Sequence, residues 1–362
     1  MKFLENIPLA PYTAFKIGGP ARFFCEVANK AELKEAAAWA AEKSLPVFVL
    51  GEGSNILVSD SGFRGLILRN RILGLSARAD GGLLHVEAGA GESWDSFVEF
   101  TVRNNAAGVE CLSGIPGTVG AVPVQNIGAY GQSAAETIDE VCAIDLKIGE
   151  ETTFSAKGGS ASGGKNADCE FGYRTSRFKK NPGRYAINSV SFLLKQGGAP
   201  TLKYHELKNY FSGAAATPSL PEVREAVLKI RSKKGMATIG EELHSSAGSF
   251  FTNPAIQEAA LEDLKLKVAQ CKTAKNCCTD PWFWQRKDLR IKISAACLIE
   301  CAGFDKGFRT GNVGVSPLHS LALINCGGAS AGEILSLAVE IQNKVKEKFG
   351  INLEVEPQLV GF

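Results

Sequence analysis

The stretch Ser245-Ser246-Ala247-Gly248-Ser249-Phe250-Phe251-Thr252-Asn253-Pro254 holds a small hydroxyl, Ser249, between a glycine and two large rings. A serine that attacks acyl groups needs a base and a G-x-S-x-G elbow, and Ala247-Gly248-Ser249-Phe250-Phe251 is not that elbow. Histidine occurs only at 85, 205, 244 and 319. Ser249 therefore reads either as a turn former or as a hydroxyl whose chemistry needs no imidazole.

Two glycine-rich segments offer a different chemistry. Gly51-Glu52-Gly53-Ser54-Asn55 follows the apolar run Pro46–Leu50. Backbone amides in such a turn can converge on a phosphate, because glycine allows close approach and positive φ. The dinucleotide fingerprint fails, since Ile56 stands at its third glycine position, and no G-K-[ST] follows. A hairpin turn and an anion cradle both stay open. The second segment, Ser113–Gly131, carries Gly114, Gly117, Gly120, Gly128 and Gly131 with Pro116 and Pro123. That density favours a chain laid tightly over a flat or phosphorylated ligand rather than a plain solvent loop.

These residues need elements to position them. Ala21–Val27 reads as a strand, Lys30–Ser44 as a helix of strong helix formers, and Pro46–Leu50 as a short buried strand leading into Gly51. Ile56–Asp60 and Leu83–Gly89 read as strands, Val98–Asn105 as a helix, and Val141–Gly149 and Tyr185–Lys195 as further β segments. Gly158–Lys165 reads as a surface loop. Thr217-Pro218-Ser219-Leu220-Pro221 opens an amphipathic helix and a candidate domain junction near residue 220. Ala331–Phe349 reads as a helix with Gly350 at its C-cap, followed by a terminal strand over 351–362. The pattern is α+β in at least two lobes.

Composition narrows the function class. With 45% hydrophobic and 22% charged residues, this is a globular chain. A net charge of +2 predicts neither nucleic-acid nor membrane binding, and the basic stretch Lys229–Gly235 reads as a solvated helix end. The N-terminus lacks the pattern of a signal peptide, and no apolar run reaches a membrane span, so a cytoplasmic location is expected. Ten cysteines in a reducing compartment read as buried or incidental thiols; the Cys277-Cys278 and Cys297…Cys301 spacings do not match paired zinc knuckles, and no metal is expected.

Phe15–Phe24, Val49–Asp60, Ser113–Gly131, Cys169–Lys179, Ser245–Pro254 and Leu353–Pro357, in this order, resemble the UDP-N-acetylenolpyruvoylglucosamine reductase (MurB) family from about Thr13 to Gly361. The resemblance implies two FAD-binding subdomains of the vanillyl-alcohol-oxidase/PCMH type, residues 1–72 and 73–220, and an α+β substrate lobe, 221–350. A C-terminal strand, 351–362, would return a catalytic glutamate. It also implies non-covalent FAD, NADPH as co-substrate, and reduction of UDP-N-acetylglucosamine enolpyruvate to UDP-N-acetylmuramate by a cytoplasmic monomer of type I.

Carried over by position, Gly51, Glu52, Gly53, Ser54 and Asn55 would hold the FAD pyrophosphate or line its ring. Ser113, Gly114, Ile115, Pro116, Gly117, Gly120, Asn126, Ile127, Gly128 and Ala129 would share that task. Arg174, Ser249 and Glu354 match the catalytic set, and Tyr204, Lys234 and Asn253 match substrate-contact positions. The chemistry suits these residue types. Charge that develops next to the substrate carboxylate is best met by a fixed guanidinium, which Arg174 can supply in bidentate form. The resulting enolate is basic enough that a neutral hydroxyl, Ser249, suffices as proton donor.

Four departures from the family pattern stand out: Ala296-Cys297 where Gly-Trp is common, Pro317-Leu318 in a usually polar stretch, Thr252 for a common lysine, and Pro357-Gln358 after Glu354. Two other functions compete. A flavin oxidase would share the loops but need neither Ser249 nor Glu354, and a UDP-sugar-binding protein would need no flavin.

Overall fold

The computed structural model describes residues 1–156, 168–213, 216–236, 245–271, 278, 281–286 and 288–362. The Gly158–Lys165 loop, His244 and Cys277 lie outside the described residues. The chain forms two compact units, each assembled from separate segments: 1–7, 21–53 and 63–241 in the first, and 8–20, 54–62 and 242–362 in the second.

In the first unit, the strands Pro20–Val27 and Val47–Leu50 both pair in parallel with Phe63–Asn70. The helix Lys30–Glu42 covers this sheet. Its N-cap Asn29 accepts the Glu32 N–H at 2.9 Å, while Leu33, Ala36 and Ala40 pack against Cys25, Val27, Leu66 and Leu68. Two alanines on that face, Ala36 and Ala40, let the helix lie close to the strands.

The unit's second sheet is antiparallel and has Tyr185–Gln196 at its centre. This strand pairs with Ile138–Asp145 on one side and Leu83–Gly89 on the other. The helix Trp94–Arg103, capped by Ser93, buries Trp94, Phe97, Val98 and Val102 beside Phe192. Trp94 also donates its indole N–H to the Leu112 carbonyl at 3.0 Å, which fixes the entry to the second glycine segment.

The helix Leu220–Lys233 begins at a capping box of Ser219 and Glu222 with Pro221 in its first turn. It packs inside this first unit, with Val223, Ala226 and Val227 against Cys111, Tyr130 and Leu207. The Thr-Pro-Ser-Leu-Pro sequence thus marks the start of a helix, whose apolar face belongs to the preceding unit. The basic end of this helix is only partly solvated: Lys229 is exposed and pairs with Glu225, but Arg231 is 9% exposed.

The second unit packs around the helix Ala331–Phe349, which buries Ile334, Leu337, Ala338, Ile341 and Val345. A capping box of Ser330 and Glu333 opens it, and Gly350 at φ 72° closes it, as expected for a left-handed C-cap. Two short antiparallel sheets flank it, one of Ala255–Gln257, Arg290–Ile293 and Phe283–Gln285, the other of Arg309–Thr310, Val313–Val315 and Leu323–Asn325. The expected terminal strand is regular only over Gln358–Val360, which pairs in parallel with Ile56–Val58. Cys278 and Cys297, read from sequence as separate thiols, are joined by a disulfide.

Candidate active site

Within the first unit the two glycine segments are tied to each other. The Glu52 carboxylate accepts the Gly117 N–H at 2.9 Å, and a Cβ built on Gly51 would meet Thr118 Oγ1 at 2.6 Å. Gly53, Gly114 and Gly117 take φ of 65°, 68° and 127°, values that a side chain disfavours. Gly120 has ordinary φ but no room, since its Cβ would lie 2.7 Å from the Cβ of Ala90. The result is a surface made of backbone, which a flat ring can approach closely.

A charged cluster holds this surface in place. Asp95 accepts the Gly114 N–H at 2.6 Å and binds Arg224 through two bonds of 2.7 and 2.8 Å. Burial acts against the Asp95 carboxylate, but Arg224 and the Gly114 N–H outweigh it and hold the pKa below its ordinary value. Arg231 donates Nε to the Gly114 carbonyl at 3.0 Å and a second guanidinium N–H to the Met236 carbonyl. Gly114 and Gly117 are buried and their N–H groups already serve carboxylates, so these two amides are not open to a ligand.

Further along, Ser113 is fully buried with its hydroxyl on the Glu110 carbonyl at 2.6 Å. Asn126 caps the short helix Val122–Gln125 in a left-handed conformation, φ 44°. Its amide donates to the Gly172 carbonyl at 2.8 Å, and its Oδ1 accepts from Ser133 and the Ala135 N–H at 3.0 and 3.1 Å. This places the Gly172–Thr175 turn beside the glycine segment. Arg174 in that turn has φ 53°, which costs an arginine about 1 kcal/mol. Its Nη2 donates to the Gly128 carbonyl at 2.8 Å, so the loop containing Ile127 and Ala129 and the guanidinium are one assembly.

Tyr204 and Lys234 also come together. Tyr204 stacks edge-on against Tyr130 with ring centroids 5.5 Å apart, and Lys234 Nζ lies 5.9 Å from the Tyr130 ring centre. Lys234 pairs with the Glu206 carboxylate at 2.8 Å. Burial first, and the Glu206 charge second, push the Tyr204 hydroxyl up to about 12, so it remains a neutral donor at ordinary pH.

In the second unit, Phe250–Thr252 runs antiparallel to Glu354–Glu356. Thr252 N–H donates to the Glu354 carbonyl and Glu356 N–H to the Phe250 carbonyl, both at 2.9 Å, with Phe251 opposite Val355. Ser249 and the exposed Glu354 therefore lie on neighbouring segments, with Phe250 and Phe251 fully buried beneath them. Gly248, at φ 71°, turns the chain into Ser249. Asn253 accepts the Ala295 N–H at 2.9 Å. Ser54 and Asn55 belong to this unit, where the Asn55 carbonyl accepts the Gln358 N–H at 3.0 Å.

Residues 21–154 match the model of an FAD-binding domain, and residues 241–360 match the C-terminal domain of UDP-N-acetylenolpyruvoylglucosamine reductase. A curated UDP-N-acetylenolpyruvoylglucosamine reductase of Streptomyces coelicolor is 41% identical over 99% of this chain and 90% of its own length. The chain belongs to the UDP-N-acetylenolpyruvoylglucosamine reductase family. It is thus a flavin oxidoreductase of peptidoglycan precursor synthesis. The corresponding reductase of Pseudomonas putida is 36% identical over 99% of both chains. In fold, the chain is similar to the crystal structure of the Thermus caldophilus reductase, with a TM-score of 0.63, 23% identity, and coverage of 99% of this chain and 98% of that one.

The residues present suit FAD, since the paired glycine segments are clamped into a single backbone surface by Glu52–Gly117 and Gly51–Thr118. Sequence reasoning missed Asp95, Arg224, Arg231 and Tyr130. Only Tyr130 carried a signal, as the aromatic residue inside the second glycine segment.

Proposed function

We propose that the chain reduces UDP-N-acetylglucosamine enolpyruvate to UDP-N-acetylmuramate with Ser249 as proton donor, acting as a cytoplasmic monomer with no nucleic-acid or membrane partner. When bound, FAD supplies the hydride and is recharged by NADPH. The terminal carbon of the enolpyruvyl group takes the hydride, and the enolate that results takes a proton from the Ser249 hydroxyl at the carbon next to the carboxylate. Arg174 binds that carboxylate, and its anchor on Gly128 fixes where the guanidinium sits. Glu354 steadies the charge rearrangement, Tyr204 and Lys234 hold the diphosphate, and Asn253 holds the sugar.

The observation that carries this reading is the antiparallel pairing of Phe250–Thr252 with Glu354–Glu356, which supports joint roles for Ser249 and Glu354. Among the described residues, no helix is long and apolar enough to cross a membrane. The test is Ser249→Ala, followed separately in the two half-reactions. Anaerobic bleaching of the flavin by NADPH should stay near wild type, while reoxidation by the enolpyruvyl sugar nucleotide falls by roughly 100- to 10,000-fold, the usual worth of a positioned proton donor. Equal loss in both half-reactions would remove Ser249 from that role.

A further inference from the structure

Three cysteine sulfurs gather in the second unit. Cys297 and Cys301 stand four residues apart on the helix Ala295–Cys301 and so share one face of it. Cys278 approaches that face, with its sulfur 3.6 Å from that of Cys301, and all three sulfurs lie within 4.8 Å of one another. Cys297 and Cys301 are buried, and Cys278 is half-buried. We propose that Cys278, Cys297 and Cys301 form a thiolate site for one thiophilic divalent cation, of which zinc is the type, and that the Cys278–Cys297 disulfide is the oxidised, metal-free form of that site.

The geometry agrees with a thiolate metal site. Tetrahedral zinc with zinc–sulfur bonds of about 2.3 Å sets its sulfurs about 3.8 Å apart. The gap between Cys278 and Cys301 already matches that edge. A disulfide needs only two sulfurs, whereas three under one apolar shell are what a soft cation requires. Three sulfurs leave one position of a tetrahedral cation to a further ligand. Three thiolates on a divalent cation carry one net negative charge. The Lys348 ammonium donates to the Cys301 carbonyl at 2.6 Å, which puts a cation at the backbone of that residue.

The redox step balances through thiol–disulfide exchange. The thiolates of Cys278 and Cys297 react with an exogenous disulfide; their mutual S–S bond forms, the exogenous S–S bond breaks, its two thiolates leave with the electron pair, and the cation is released.

The test uses the full-length holoenzyme, fully reduced under anaerobic conditions and then loaded with zinc or cobalt(II) alone. One equivalent of metal per chain, a sulfur-to-cobalt charge-transfer band, and at least a tenfold loss of affinity in Cys301→Ser with turnover retained are expected. Adding a disulfide oxidant to the loaded protein should release the metal. Absence of the band in the reduced protein, or equal affinity in Cys301→Ser, overturns the proposal. So does an intact mass that stays two hydrogens short after reduction, which would make the disulfide permanent. Far-ultraviolet circular dichroism of Cys297→Ala and Cys301→Ser separates loss of binding from loss of fold.

Discussion

Gly120→Ala tests whether the backbone surface between the glycine segments serves FAD. The new Cβ would lie 2.7 Å from the Ala90 Cβ and 3.1 Å from the Ala90 carbonyl oxygen. Carbon atoms in contact prefer about 3.5–4.0 Å, so the turn at Val119–Ala121 must move roughly 1 Å from Ala90. Neither neighbour can swing away, because one is a methyl group and the other is backbone. Overpacking of this kind costs about 1–3 kcal/mol. Stretching the 2.9 Å bond from Gly120 N–H to Ala90 O adds up to about 1 kcal/mol. Loss of glycine's freedom in the unfolded chain returns about 0.5 kcal/mol. The expected outcome is a destabilisation of about 0.5–3.5 kcal/mol in urea unfolding, together with at least tenfold weaker FAD binding, equivalent to about 1.4 kcal/mol, in a fluorescence titration of apoprotein. Gly149→Ala is the control. Its φ of 75° is special where that of Gly120 is ordinary, and nothing lies within 4 Å of its Cβ, so it should cost about 1 kcal/mol from strain alone and leave FAD affinity unchanged. If Gly120→Ala bound FAD as tightly as wild type and unfolded at the same urea concentration, both the packing argument and the surface's role would be refuted.

Asp95→Asn should destabilise the first unit by about 2–4 kcal/mol at neutral pH, because it breaks a largely buried ion pair with Arg224. The folded pKa of Asp95 lies below its ordinary value of 3.8, so the carboxylate's contribution is complete above 3.8 and fades as pH falls through the folded value. The gap between wild type and variant should therefore shrink in acid, and a gap unchanged from pH 7 to about pH 2 would contradict the assignment. Tyr204→Phe should raise the KM for the sugar nucleotide about tenfold with kcat nearly unchanged, as for a lost hydrogen bond to a charged group. With its hydroxyl pushed up to about 12, Tyr204 should add no step to the KM–pH profile between about pH 7 and 10. Arg174→Lys should lower kcat by about 100-fold or more while leaving flavin content intact, since a lysine cannot grip both Gly128 and a carboxylate; unchanged kcat would free Arg174 of the role.

Much of the fold was legible because local signals were strong. The helices at 30–42 and 331–349 combine good formers, caps and one apolar face, and the glycine at 350 ends the second as its type predicts. The glycine segments were legible as special backbone, because positive φ and missing Cβ space are properties of the residue itself. The junction near 220 misled because Thr-Pro-Ser-Leu-Pro encodes a helix start, whereas the partner that the helix packs against is set by Val223, Ala226 and Val227 meeting Tyr130 and Leu207. The terminal strand shortened for a similar reason: Pro357 interrupts it, leaving Gln358–Val360 as the paired part.

Arg231 shows where the limit lies. A basic residue in Lys229–Gly235 has the composition of a solvated helix end, and two of its basic neighbours, the exposed Lys229 and Lys233, fit that description. Arg231 departs from it because two carbonyls, those of Gly114 and Met236, converge on its guanidinium. Gly114 is 117 residues away in sequence, and Asp95, which holds the same peptide from its N–H side, is 129 residues from its partner Arg224. A glycine with φ 68° offers both its N–H and its C=O to neighbours, and a buried peptide must satisfy both. The charged residues around Gly114 follow from that requirement. A carboxylate takes the donor, a guanidinium takes the acceptor, and Arg224 neutralises the carboxylate. The glycine was visible in the sequence and implied that something must hold it. Which side chains do so depends on tertiary pairing that no local pattern records.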